Sequence, residues 1–411
     1  MNRRGNQTES GIFAKFTYAF RNEFHFIFSD VAVVFSMLLI PVVISFAYTY
    51  IYSKQVINAL PVVVVDQDNT TESRQFGRML DATPQVDVAY RTGDFGEAQA
   101  LLDRGNARGI IVVPHFFGRD LNRQSQPSVS VYADASYILY YKQVYKAVSL
   151  TVNYLNAGIE LKQLKAKGNS PAEATANLSP VQAKVIGLYN PDSGYAIFIM
   201  PAVFLVIIQT TMLTGIGLLG GTFREQKRFA NAHTQVRNLF DAIAIVGGKA
   251  MAYSSVGLFV FTLIPGFVLP AFGLPQRGNV VDLYLFMLPF ILSVSFLGIT
   301  LNRFFRHRED AVMSVIFTSL PAVLLCGVSW PVSEIPSFLA ALSQLFPSSI
   351  AIKGFVAISQ AGSRLGEVND SWLWLWLQCA FYFVLAILTM RRLLAEQTEL
   401  QSGESYRQGA L

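Results

Sequence analysis

Charge is scarce in this chain. Asp, Glu, Lys and Arg make up 14% of its 411 residues, and 52% are hydrophobic. Soluble domains carry about a quarter charged residues, so a soluble globular protein is excluded and an integral membrane protein is expected. Cysteine is nearly missing. Cys326 and Cys379 both stand in apolar runs, so neither a disulfide framework nor a CxxC zinc or redox motif is available. Histidine is limited to His25, His115, His233 and His307, scattered without HExxH spacing, which argues against a metal centre. There is no GxSxG and no recognisable Ser/His/Asp set. There is no P-loop either. The nearest string, Gly247-Gly248-Lys249-Ala250, lacks the spaced first glycine and the Ser/Thr that binds magnesium. The chain is expected to have no catalytic residues, no metal and no cofactor of its own. Its net charge of +5 comes without a Lys/Arg cluster interleaved with aromatics, so no nucleic-acid partner is expected.

What the chain has in quantity is long apolar runs. Six transmembrane helices are expected, over residues 31–52, 195–223, 242–272, 283–302, 311–332 and 371–390. The run 31–52 is too long for a signal-peptide core and starts too late, so it reads as an uncleaved anchor. Pro336 and Pro347 interrupt a further apolar stretch, about 333–355, which reads as a re-entrant outer hairpin. Pro41, Pro201, Pro265, Pro289 and Pro321 lie inside spans, as kinks or as hinges. Lys and Arg concentrate at Arg3, Arg4, Lys15 and Arg21, at Arg224, Lys227, Arg228 and Arg237, at Arg303, Arg306 and Arg308, and at Arg391 and Arg392. The positive-inside rule therefore puts both termini in the cytoplasm of a multi-pass inner-membrane protein. Residues 12–28 carry Phe13, Phe16, Phe20, Phe24, Ile27 and Phe28 at helical spacing, as in an amphipathic helix lying in the membrane interface.

Residues 53–194 differ from the rest, being charged and mixed. Strand candidates at 60–65, 86–90, 109–113 and 128–132 alternate with helix candidates at 70–80, 95–102 and 138–167. That alternation predicts an inserted extracytoplasmic α/β domain with a partly parallel sheet, followed by a linker at 168–180. The expected fold class is thus a mainly α-helical polytopic membrane protein with an inserted extracytoplasmic α/β domain. Asp66, Asp68 and Glu72 have no bidentate Glu at the twelfth position of a calcium loop and read as a turn with a helix cap. Charges inside spans are nearly absent, so no proton relay is expected. Lys249 lies near the cytoplasmic end of its span and can snorkel. Gln209, Thr210, Thr211 and Thr214 form the main polar cluster of the second span. They are either interhelical packing contacts or a candidate substrate path.

The chain resembles type-2 ABC exporter permeases with a large domain after the first span. The resemblance rests on Val62–Asn69 with Ser73, on Leu101-Leu102, Gly105 and Gly109 to Pro114 with Phe116, and on Tyr132-Ala133-Asp134. It continues through Tyr189-Asn190-Pro191, Tyr195 and Pro201, then Trp330-Pro331, Glu334-Ile335-Pro336 and Phe346-Pro347. It implies a permease that pairs with an identical or paralogous permease and binds a separate cytoplasmic ATPase carrying the ATP. Apolar and aromatic linings suit lipophilic or lipid-like cargo, with glycans as the alternative; membrane lipids are expected neighbours and a periplasmic adaptor is a candidate partner. Arg224, Glu225, Gln226, Lys227 and Arg228 are similar to the family's ATPase-coupling loop, although Phe229-Ala230-Asn231 stands where Gly-Thr is usual. Read alone, that run is an ordinary positive-inside loop. Arg21, Glu23 and Asp30 resemble the connector helix that also touches the ATPase. The competing reading is a membrane-anchored sensor or scaffold with an outer ligand-binding domain.

Overall fold

The computed structural model describes residues 11–123, 125–166, 188–191, 193–226, 238–328 and 330–408. The expected linker at 168–180, together with Lys227 and Arg228, lies outside the described residues. The chain divides into two compact units: Lys54–Gly187, and Met1–Ser53 with Leu188–Leu411.

The larger unit opens with α1, Ile12–Ser29. A helix completes a turn every 3.6 residues, so phenylalanines four apart stack along one face. Phe20, Phe24 and Phe28 form a ladder with ring centroids 5.8 and 4.9 Å apart. Asp30 is extended and ends α1. It also starts α2, Val31–Ile51, its Oδ1 accepting Ala32 N–H at 3.0 Å and Val33 N–H at 3.4 Å. Those donors have no partner inside the helix, which is why an aspartate suits the position. Within α2 a π turn spans Phe35–Leu39, with Ile40 N–H reaching back to Phe35 O just before Pro41. Proline has no N–H to offer the preceding turn, and the π turn takes up the mismatch.

The smaller unit contains β1 (Leu60–Asp66), α3 (Thr71–Asp81), β2 (Val86–Thr92), α4 (Phe95–Asp103), β3 (Gly109–Val113), α5 (Phe117–Asn122), β4 (Ser130–Ala133) and α6 (Ile138–Ala166). The sheet order is β2-β1-β3-β4, with β1 parallel to both neighbours and β4 antiparallel to β3. The central strand is covered on both faces, which explains its unbroken valines. Val62 and Val64 pack with Phe76, Leu80, Ile111 and Val144, whereas Val63 and Val65 pack with Ala98, Ala107 and Ile110. The acidic trio is built into this scaffold. Asp66 accepts Asp68 N–H, Asn69 N–H and the Ser73 hydroxyl, and Asp68 accepts the Thr70 hydroxyl at 2.6 Å and Gly118 N–H at 2.8 Å. Burial alone would raise the Asp68 pKa. The bonds from Thr70, Gly118 and Phe116 and the nearby His115 outweigh it, so the carboxyl titrates below its ordinary value. The six-residue α5 was not expected, being too short for periodicity to show.

The larger unit resumes with α7 (Tyr195–Glu225), α8 (Leu239–Ala271) and α9 (Val280–Leu301). Then come α10 (Arg308–Leu325), α11 (Ser337–Ser343), α12 (Pro347–Ala361) and α13 (Asn369–Gln408). Among the described residues, five helical stretches are long and apolar enough to cross a membrane: α2, α7, α8, α9 and Leu365–Ala395. The pair α11–α12 is bent by 85° and would make a sixth if counted as one span. The expected span at 311–332 needs correction. Its helix α10 stops at Leu325, and Arg308, Glu309 and Asp310 fill its first turn. Residues 311–325 rise only about 22 Å, short of a hydrocarbon core of about 30 Å. The centre of this unit is α7, 67% of whose apolar window is buried, against 28% for α2. It packs on α2, α9, α10 and α12.

Candidate functional site

Four charged side chains meet as two ion pairs where α1 lies against α8, each pair joining residues that the sequence places far apart. On α1 the residues Ala19, Glu23 and Ile27, four apart, share the buried face. Glu23 is only 1% exposed. Its Oε2 takes a hydrogen bond from Lys249 Nζ at 2.5 Å, and its Oε1 takes one from the Tyr253 hydroxyl. Lys249 also lies over the Phe223 ring at 4.8 Å, which ties the end of α7 to the same knot. One turn before Ala19, Lys15 pairs with Asp241 at 2.7 Å. Between the two ion pairs the helices nearly touch: a Cβ on Gly248 would lie 2.5 Å from Phe16 O. An ammonium and a carboxylate out of water need each other, because either alone would carry the full desolvation cost.

One sequence expectation changes here. Lys249 does not snorkel, since its ammonium is held by Glu23. Glu23 turns its two carboxylate oxygens to Lys249 and Tyr253. Of the expected connector residues Arg21 remains exposed. Asp30 is half-buried, capping α2 and pairing with Arg308 at 2.9 Å. Lys15, Asp241, Tyr253 and Arg308 were missed. The signal was present: an acid on the apolar stripe of α1 and a lone lysine in an apolar run are natural partners.

The end of α7 joins the same region. Arg224 donates to Arg303 O at 3.0 Å. Glu225 accepts Arg308 N–H at 3.0 Å and lies 3.5 Å from His307 Nδ1. Asp310 accepts the N–H groups of His307 and Arg306, which hold its pKa below the ordinary value. Gly221 permits this approach, because a Cβ there would lie 2.8 Å from the backbone of His307 and Arg308. A cavity of about 360 Å³ opens between the elbow at Asp30 and the end of α7, lined by Phe26, Val31, Leu219, Phe223 and Gln226 among others. Arg224, Glu225 and Gln226 therefore sit on a cross-braced corner built from α1, α2, α7, α8 and the loop before α10.

The polar cluster of α7 resolves differently. Thr210, Thr211 and Thr214 turn their hydroxyls onto carbonyls of their own helix, at Val206, Ile207 and Thr210, 2.7 to 2.8 Å away. That is the ordinary resting place of a threonine in an apolar helix. Gln209 is buried and accepts Ser348 N–H at 2.8 Å, reaching across to α12.

Comparison with known proteins agrees with this architecture. The family described as "ABC-2 family transporter protein" matches residues 31–388. The chain is 22% identical over 316 residues to the "Probable multidrug ABC transporter permease YbhR" of Escherichia coli, covering 76% of this chain and 81% of that one. It is 23% identical over 350 residues to the "Inner membrane transport permease YhhJ" of the same species, covering 82% and 86%. It is 21% identical over 327 residues to the "Linearmycin resistance permease protein LnrN" of Bacillus subtilis, covering 75% and 81%. A match across most of the chain, joined to a multi-pass apolar core with a braced charged corner, shows that this protein belongs to the ABC-2 transporter family and is a membrane permease rather than an enzyme.

Proposed function

We propose that this chain is the membrane-spanning subunit of an ATP-driven exporter that moves a small lipophilic or lipid-like compound out of the cytoplasm or the inner leaflet. ABC-2 permeases work with a separate cytoplasmic ATPase subunit, and the braced corner is where such a subunit would push. The observation that carries this reading is the cross-bracing itself. Glu23, Lys249, Asp30, Arg308, Glu225 and Arg224 tie the ends of five chain segments, so a force on residues 224–228 or on α1 reaches α2, α7, α8 and α10 together.

In this reading both termini and the corner face the cytoplasm, in line with the Lys and Arg bias, and the unit Lys54–Gly187 lies outside. Arg224, Glu225, Gln226, Lys227 and Arg228 meet the ATPase, and exposed Arg21 adds a contact from α1. The permease acts as a pair, with itself or with a paralogue, and its outer unit receives cargo or docks a periplasmic adaptor. Relatives named for multidrug transport and for linearmycin resistance support a drug-like cargo.

Inverted membrane vesicles containing the permease and its ATPase test the substrate class. A panel of lipophilic fluorescent dyes is expected to include at least one that accumulates only with ATP. A silent panel, with ATP hydrolysis intact, would contradict lipophilic drug-like cargo.

A further inference from the structure

The cavity at the elbow has two chemically different sides. Phe26, Leu219 and Phe223 form an apolar wall, and Ser29, Asp30 and Thr222 form a polar rim. Its volume of about 360 Å³ lies at the small end of ligand sites, which run from about 300 to 1,000 Å³. The wall is well packed. Phe26 and Phe223 meet edge to face with centroids 5.0 Å apart, and Leu219 and Phe223 are buried. Val31 also lines the cavity and is 83% exposed, so the mouth opens beside an apolar surface.

The rim offers acceptors. The Ser29 hydroxyl donates its proton to His25 O at 2.8 Å, and the Thr222 hydroxyl donates to Leu218 O at 2.9 Å. Each hydroxyl oxygen keeps lone pairs that can accept. Asp30 Oδ1 takes Ala32 N–H, Val33 N–H and Arg308 Nη2, whereas Oδ2 meets Arg308 Nη2 at 2.9 Å and has capacity for a second donor. An apolar wall beside hydroxyl oxygens and a carboxylate suits a molecule that is apolar at one end and rich in N–H at the other. An anionic head would meet oxygen on every side of the rim.

We infer that the elbow cavity binds the protonated primary amine of an amphiphile. The ammonium donates to Asp30 Oδ2, Ser29 Oγ and Thr222 Oγ1, and the apolar part lies against Phe26, Leu219 and Phe223. An ethanolamine phospholipid of the adjacent leaflet and a free amphiphilic amine share this chemistry. Asp30 joins α1 to α2, and Thr222 lies in the last turn of α7, so the bound amine ties the elbow to the stretch Arg224–Gln226. The inference rests on the proposed function only for the cytoplasmic placement of this corner.

The test uses the full chain in phosphatidylcholine nanodiscs with and without phosphatidylethanolamine. The protein is released into mild detergent, and the lipid it retains is identified by native mass spectrometry. Choline has no N–H, so phosphatidylcholine is the internal control. The parent is expected to retain phosphatidylethanolamine. Thr222→Val keeps the shape and removes one acceptor, which should lower retention about tenfold, the effect of one charge-assisted hydrogen bond. Ser29→Phe fills the mouth from an exposed position and should abolish retention. In a second arm, dodecylamine is added to the delipidated protein. It is expected to raise the Tm of the parent but not of Ser29→Phe, whereas dodecyltrimethylammonium, of equal charge without N–H, should raise neither. Retained phosphatidylethanolamine assigns the lipid as the source. A Tm rise with dodecylamine and no retained lipid assigns a free amine. The inference is overturned if neither probe separates the parent from Ser29→Phe, or if phosphatidylcholine and dodecyltrimethylammonium bind as well as their N–H counterparts. Neither arm involves ATP, an ATPase or transport, so a failure here leaves the exporter reading standing, and failure of that reading leaves the amine site measurable.

Discussion

Glu23→Leu is expected to destabilise the membrane unit by about 3–5 kcal/mol, the usual cost of leaving one member of a buried ion pair alone. The reason is local. Lys249 Nζ has only 12% of its side chain exposed and takes its charge balance from Glu23. With leucine at position 23 the ammonium must be neutralised or the α1–α8 contact must open. Lys249→Met alone should cost a similar amount, because it strands the carboxylate beside the Tyr253 hydroxyl. Joining the two substitutions removes both charges and keeps the volume, so the double variant should recover most of the loss. SDS-titrated unfolding in mixed micelles measures all three. Additive losses would mean that the two groups do not stabilise each other. The double variant also separates stability from function. It retains the packing of α1 on α8 but not its charge lock, so transport in that variant reports what the lock transmits.

Gly221→Val is the second large effect. The new side chain would have to enter at 2.8 Å from the backbone N and Cα of Arg308, and backbone cannot rotate aside as a flexible side chain can. Overpacking of this kind costs about 1–3 kcal/mol. Here it also disengages Glu225 Oε1 from Arg308 N–H and Asp30 from the Arg308 guanidinium. The expected result is a lowered Tm together with loss of transport even in whatever fraction folds. Gly266→Val, at a position where a Cβ meets nothing within 4 Å, is the matched control and should change neither. Equal behaviour of the two variants would contradict the tight corner.

Much of this architecture could be read in advance where one short-range rule dominates. The strand Gly109–Val113 falls where an apolar run is bounded by Gly109 and Pro114, and Thr70 caps α3 because a hydroxyl there reaches Ser73 N–H. The break at Pro347 follows from a missing N–H in an apolar run. Harder to read were features decided by distant partners. Lys249 looked like a snorkelling lysine because its acid lies 226 positions away. Gln209 looked like part of a polar patch with its threonines, and only the fold shows that it faces another helix while they face their own. The length of α10 was overestimated because apolar character continues past Leu325, whereas the helix stops before Gly327 turns left-handed. Periodicity records which face is apolar and is silent on which distant charge lies opposite.

The measurement that bears most directly on the central claim needs no knowledge of the cargo. The tagged permease is purified from its own cells in mild detergent, and the proteins that accompany it are identified by mass spectrometry. A soluble ATP-binding subunit should be recovered with the parent chain. It should be lost when Arg224, Glu225, Gln226, Lys227 and Arg228 are all replaced by neutral residues, with the permease still eluting as a folded species. Recovery of no ATPase with the intact parent chain, or undiminished recovery with the neutral loop, would contradict the account of a permease driven through this corner.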